Sequence, residues 1–138
     1  MGEIAKAQTQ LQTQSLKTLV SSESIKKRFN EILGKKSAAF VSSLISVSNN
    51  NELLSKADPT TVITAGVMAA TLDLPINQNL GFAYIVPFYN SKKKINEAQF
   101  QMGYKGYIQL AMRTGQYKTI NASEIYEGEI KHLSLIHI

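Results

Sequence analysis

What most constrains this chain is a change of period partway along it. Leu80-Gly81-Phe82-Ala83-Tyr84-Ile85-Val86-Pro87-Phe88-Tyr89 is aromatic and β-branched, the composition of a strand. Asn90 to Asn96 is polar and basic, a turn or projecting loop. Glu97-Ala98-Gln99-Phe100-Gln101-Met102 then alternates. Successive side chains of a strand point to opposite faces, so Ala98, Phe100 and Met102 fall on one face and Glu97, Gln99 and Gln101 on the other. One apolar and one polar face is the pattern of a half-buried antiparallel partner.

Upstream the period is helical. Ile25, Phe29, Ile32 and Leu33 recur at helix spacing behind Ser22 or Ser24 as cap, and Gly34 supplies the stop. A second helix is predicted from Ser37 to about Val47, on Phe40, Val41, Leu44, Ile45 and Val47. Asp58-Pro59 pairs an acidic cap with a first-turn proline, which opens a third helix from Pro59 to about Leu72. Its small residues, Ala65, Gly66, Ala69 and Ala70, permit another backbone to come close. Downstream of the alternating stretch, Tyr104 to Thr114 reads as a helix stopped by Gly115, and Lys118 to Tyr126 as a third strand. The expected fold class is α+β: N-terminal helices followed by a strand–strand–helix–strand unit, an antiparallel hairpin packed with helices. Residues 1–21, rich in Gln, Thr and Ser, are expected to form a flexible arm, helical at most in part.

Composition narrows the chemistry. With no Cys among 138 residues there is no disulfide, thiolate metal site or cysteine nucleophile. His132 and His137 are the only histidines, and neither stands in a triad-like spacing. The phosphate-loop signature of P-loop nucleotide hydrolases is missing, and the Gly103-x-x-Gly106 pair alone is a weak motif. No cofactor is expected. The first 14 residues lack a hydrophobic signal core, so the expected location is cytoplasmic, without membrane contact.

The net charge of +5 is unevenly placed. Between residues 92 and 118 stand Lys92, Lys93, Lys94, Lys105, Arg113 and Lys118 against Glu97 alone. Such a focus is the footprint expected for an anionic partner. Gln side chains on the polar strand face can bond phosphates or base edges. Lys105 opens a helix, where unpaired amides and the dipole favour phosphate, and Arg113 lies about 12 Å further along it. Tyr104 and Tyr107 offer stacking surfaces. The same residues admit a plainer reading: Phe82, Tyr84, Phe88 and Phe100 as core, Lys92 to Lys94 as a solvated turn. Two further readings compete: a small metal-dependent nuclease using Glu97, Glu124, Glu127 or Asp73, and a helical interaction module with an incidental basic patch.

The blocks Ala69-Ala70-Thr71-Leu72-Asp73-Leu74-Pro75-Ile76-Asn77, Leu80 to Phe88, Ala98-Gln99-Phe100-Gln101-Met102-Gly103-Tyr104-Lys105-Gly106, Gly115-Gln116-Tyr117, Asn121-Ala122 and Tyr126-Glu127-Gly128-Glu129 together resemble the RecT family of phage and prophage single-strand annealing recombinases. The resemblance covers about residues 55–130. It implies binding of single-stranded DNA and nucleotide-independent pairing of complementary strands in recombination inside a bacterial host. It also implies assembly into rings or helical filaments, and a partner exonuclease. DNA contact carries over to Gln99, Gln101, Tyr104, Lys105 and Arg113, with Lys92, Lys93 and Lys94 added on charge; catalytic and metal residues are none. Members of the family are longer, so residues 22–130 are expected to be part of an annealing domain. Residues 131–138 depart from the family pattern and are expected to be an atypical tail.

Overall fold

The computed structural model describes residues 15–121 together with Glu124, Tyr126 and Glu127. The chain forms α1 (Leu16–Val20), α2 (Glu23–Leu33), a 3-10 turn (Gly34–Lys36), α3 (Ser37–Asn50), α4 (Glu52–Ser55) and α5 (Pro59–Thr71). A second 3-10 turn (Gln78–Leu80) leads into β1 (Ala83–Asn90), β2 (Ile95–Met102) and α6 (Tyr104–Arg113). The fold is thus mixed α+β, helices first and then an antiparallel two-stranded hairpin and a helix. None of the described helices is long and apolar enough to cross a membrane.

Gly34 and Asp58 act where the sequence predicts, while Ser22 stands at the start of α2 but turns its hydroxyl to Leu19 O. Gly34 ends α2 in the left-handed region, φ 57°, and Asp58 accepts the amide of Thr60 at 3.0 Å to open α5. Helix α5 is the centre of the core. Val62, Ile63, Ala65, Gly66, Ala69 and Ala70 are buried along it. A Cβ at Gly66 would lie 2.9 Å from Leu44 Cδ2, so this glycine admits the fully buried Leu44 of α3. Phe29 of α2, fully buried, meets Phe40 of α3 with ring centroids 5.8 Å apart. The α2–α3 junction is pinned by the Ser37 hydroxyl donating to Asn30 Oδ1.

The hairpin lays its inner face on this core. Ala83 and Ile85 are buried, and Ala98, Phe100 and Met102 pack against the cluster. Both edges are managed. On β2, Asn96 O accepts the amide of Asp58 at 2.8 Å and Ala98 donates its amide to Thr61 Oγ1 at 2.9 Å. Because that amide points away from β1, the pair Pro87↔Ala98 carries no ladder bond. Pro87 therefore removes an N–H from the free edge of β1, where it would invite another strand.

The structure departs from the sequence expectations at four places. The arm expected over residues 1–21 is helical in part, at Leu16–Val20, but it is also packed on the core there, with Val20 buried. There a short apolar patch outweighs the polar composition; residues 1–14 lie outside the described residues. The strand expected over Lys118 to Tyr126 is not formed at residues 118–121, which are irregular, and most of its remainder lies outside the described residues. Phe88, expected in the core, stands 42% exposed, while Tyr84 is only half-buried; both lie on the outer hairpin face. Glu97, expected on the solvated face, is 7% exposed. The tail expected over residues 131–138 lies outside the described residues.

Candidate nucleic-acid interface

The register pairs Tyr84 with Gln101, Val86 with Gln99 and Phe88 with Glu97. Directly opposed residues share a face, so these six make the outer surface of the hairpin. Gln99 and Gln101 are exposed on it, as the alternation predicts. Eight residues at about 3.4 Å each make a ribbon about 24 Å long from one end of a strand to the other.

Two glycines build the end of this ribbon where α6 begins. A Cβ at Gly103 would fall 2.1 Å from Gly81 O and 2.9 Å from Tyr84 Cε2; one at Gly106 would fall 2.2 Å from Phe82 O. No larger residue fits either position unless the backbone moves, so the Gly-x-x-Gly pair is a packing device. It seats the first turn of α6 on the backbone of residues 81–82, and the Gly103 amide donates to Phe82 O at 3.0 Å. The sequence offers the glycines but not the surface they approach. The seat also brings Lys105 to the hairpin. A Cβ at Gly81, φ 72°, would lie 3.4 Å from both Lys105 Cδ and the Tyr84 hydroxyl. Lys105, Tyr84 and, across the ladder, Gln101 are thereby neighbours at one end of the ribbon. Tyr104 and Tyr107 stand 60% and 64% exposed, three residues apart on the same helix.

The other end is the turn at residues 91–94. Asn90 Oδ1 accepts the amides of Lys92 and Lys93 at 3.1 and 3.2 Å, and Lys94 takes the left-handed region, φ 56°. Lys93 Nζ is 2.8 Å from Glu97 Oε1. That bond raises the Lys93 ammonium above its ordinary value. The Glu97 carboxyl is held below its own, first by Lys93 and then by the amide of Asn90. Lys92 and Lys94 form no ion pair among the described residues.

Arg113 sits apart from this group. Its guanidinium donates to Leu72 O at 2.7 Å and to Asp73 O at 2.8 Å, closing the carbonyl end of α5. It borders an apolar cleft of about 600 Å³ lined by Leu33, Phe40, Leu74, Ile76 and Phe82. The eight expected contact residues thus divide. Gln99, Gln101 and Lys105 gather on the outer face with Tyr104 exposed beside them on the first turn of α6, the three lysines cap its turn, and Arg113 is bound to the helical half. The carboxylates considered for metal do not assemble. Glu97 is engaged by Lys93 and Asn90, Asp73 lies 3.6 Å from Lys36, and no group of three potential ligands occurs among the described residues.

Comparison with known proteins gives the chain a family context. The family model described as RecT family matches residues 38–136, a span that contains the whole hairpin and α6. The uncharacterized protein YqaK of Bacillus subtilis (strain 168) is 54% identical over 122 residues, covering 88% of this chain and 41% of that protein. Protein RecT of Escherichia coli (strain K12) is 35% identical over 78 residues, covering 55% of this chain and 29% of that protein. The chain therefore spans less than half the length of either relative.

Proposed function

The chain belongs to the RecT family, and on that premise we propose that it binds single-stranded DNA along the outer hairpin face and the first turn of α6, and promotes pairing of complementary strands without nucleotide hydrolysis. The observation that carries this reading is the convergence of Lys105, Tyr84 and Gln101 beside the exposed Gln99 on one ribbon. Lysines track phosphates and release counterions, amides bond phosphates or base edges without adding charge, and an exposed tyrosine at the helix start stacks on bases. No base-specific code is needed, because the strands read each other. The contacts assigned are Gln99, Gln101, Tyr104 and Lys105, with the lysine turn at the far end. Arg113 is assigned to the fold instead, since both its bonds run to backbone carbonyls of the helical half.

The rest of the reading comes from the family. It includes self-assembly into rings or filaments, so that weak sites add along a strand, a partner exonuclease that exposes the strand, and action in the bacterial cytoplasm. Two measurements test the core of it. Fluorescence anisotropy with a labelled oligonucleotide should give binding that weakens linearly in log salt, and complementary oligonucleotides should anneal faster with the protein and no nucleotide. Binding that ignores salt, or annealing no faster than buffer alone, would refute it.

A further inference from the structure

One charged cluster on the outer face is not absorbed by this reading. Glu97 shares a strand face with Gln99 and Gln101, yet it is nearly buried and both its oxygens are engaged. Oε2 accepts from Asn90 Nδ2 at 3.1 Å, and Oε1 from Lys93 Nζ at 2.8 Å. Asn90 is bonded on its other side to the amides of Lys92 and Lys93. One carboxylate thus holds, directly and through one amide, the backbone and the middle side chain of the turn. That turn also carries Lys94 in a conformation side chains rarely adopt, so the surrounding bonds must hold it there.

We propose that Glu97 is a positioning residue for the lysine turn: it folds Lys93 back and neutralises it, leaving Lys92 and Lys94 as the cations that meet phosphate. This rests on the DNA reading above and narrows it, since the turn then supplies two backbone-tracking charges instead of three. The physical ground is the geometry of the carboxylate: Oε1 is taken by Lys93 and Oε2 by Asn90, so a phosphate that takes Lys93 must first break a charge-assisted bond. Lys92 and Lys94 have no such competitor among the described residues.

The salt dependence of single-strand binding by the full chain tests this, because each phosphate contact contributes about 0.7 to the slope of log affinity against log salt. Lys92→Ala should lower the slope by about 0.7. The double variant Lys93→Met with Glu97→Gln removes a neutral pair and should leave it unchanged. Glu97→Gln alone frees Lys93 and should raise it by about 0.7, which a merely structural role would not do. A readout without DNA accompanies these. Under limiting acetic anhydride, mass spectrometry should find Lys93 acetylated several-fold more slowly than Lys92 and Lys94, and equally fast in Glu97→Gln. Equal rates in the unmodified chain would overturn the clip while leaving DNA binding intact. So would a double variant that loses as much slope as Lys92→Ala. If the unmodified chain shows no salt-dependent binding, the DNA reading falls and the assignment of Lys92 and Lys94 with it; slow acetylation of Lys93 would mark that failure as distinct from a failed clip.

Discussion

The helices from residue 16 to residue 71 pack their rings inward, whereas the hairpin–helix unit from 83 to 113 packs Phe100 inward and brings most of its other rings to the surface. In the first, Phe29 is sealed and Phe40 packs against it. In the second, Phe88, Tyr89, Tyr104 and Tyr107 all reach solvent. The difference follows from how many sides each element must bury. Helix α5 packs against α1, α2, α3 and the hairpin, so its buried residues cover a broad face and leave only the stripe of Thr60, Thr64, Met68 and Thr71 exposed. The hairpin spends one face on that core, and its other face stays open to carry rings, amides and cations. The helical half is built to be dry, and the hairpin unit to be held rigid while remaining accessible.

Breaking the dry half should give the largest effect. Phe29→Ala removes a fully buried ring and should lower unfolding stability by about 3–5 kcal/mol in urea titration. If DNA binding is read only on the remaining folded fraction, its salt slope should not change. A changed slope there would mean that the two halves are not separable.

The seat of α6 on the base of the hairpin comes next. Gly106→Ala forces a Cβ toward Phe82 O at 2.2 Å, a backbone atom that cannot rotate aside. Overpacking of this kind costs about 1–3 kcal/mol. The variant should lose stability, and also DNA affinity, because Lys105 is carried by the displaced turn. Unaltered stability in Gly106→Ala would show that α6 does not need its close seat.

These cases mark how far the sequence reaches. The period-two alternation identified the hairpin and its inner face, and Asp58-Pro59 and Gly34 marked helix ends, because such signals are local in the chain. The burial of Glu97 was hidden, since alternation assigns a face but not what folds over it. Arg113 was read as a free cation because its partners, Leu72 and Asp73, lie 41 and 40 residues away. Gly103 and Gly106 looked weak for the same reason: a glycine needed for close approach cannot be told from any other until the approaching backbone is known. Within the candidate site, the exposed face of the two amides was legible from the alternation, while the pairing of Lys93 was not.

Arg113 and Lys105, on one helix, sharpen the contrast at smaller scale. Arg113→Ala removes two charge-assisted bonds at an exposed site and should cost about 1 kcal/mol of stability, with the salt slope unchanged. Lys105→Ala should do the reverse, leaving stability within about 0.5 kcal/mol and lowering the slope by about 0.7. If both residues lower the slope alike, Arg113 belongs to the DNA surface after all.

The smallest expected effect is on pH dependence, and it isolates the turn. The Glu97 carboxyl is held below its ordinary value mainly by the hydrogen bond from Lys93, with Asn90 adding to it. The unfolded chain therefore binds a proton there before the folded one does. This contribution to stability is complete above the ordinary glutamate range and is lost as pH falls through the lowered folded value. Lys93 mirrors it: its ammonium is raised by the bond to Glu97, with Asp58 adding a minor attraction. Its contribution is complete below the ordinary lysine range and is lost as pH rises through the raised value. Because Lys93 is 65% exposed, water screens much of the interaction. The observable is a difference between two melting curves. The chain and its Glu97→Gln variant should differ most in melting temperature near neutrality and converge toward acid, and a gap that persists unchanged into acid would mean that the Glu97–Lys93 pair does not hold the turn.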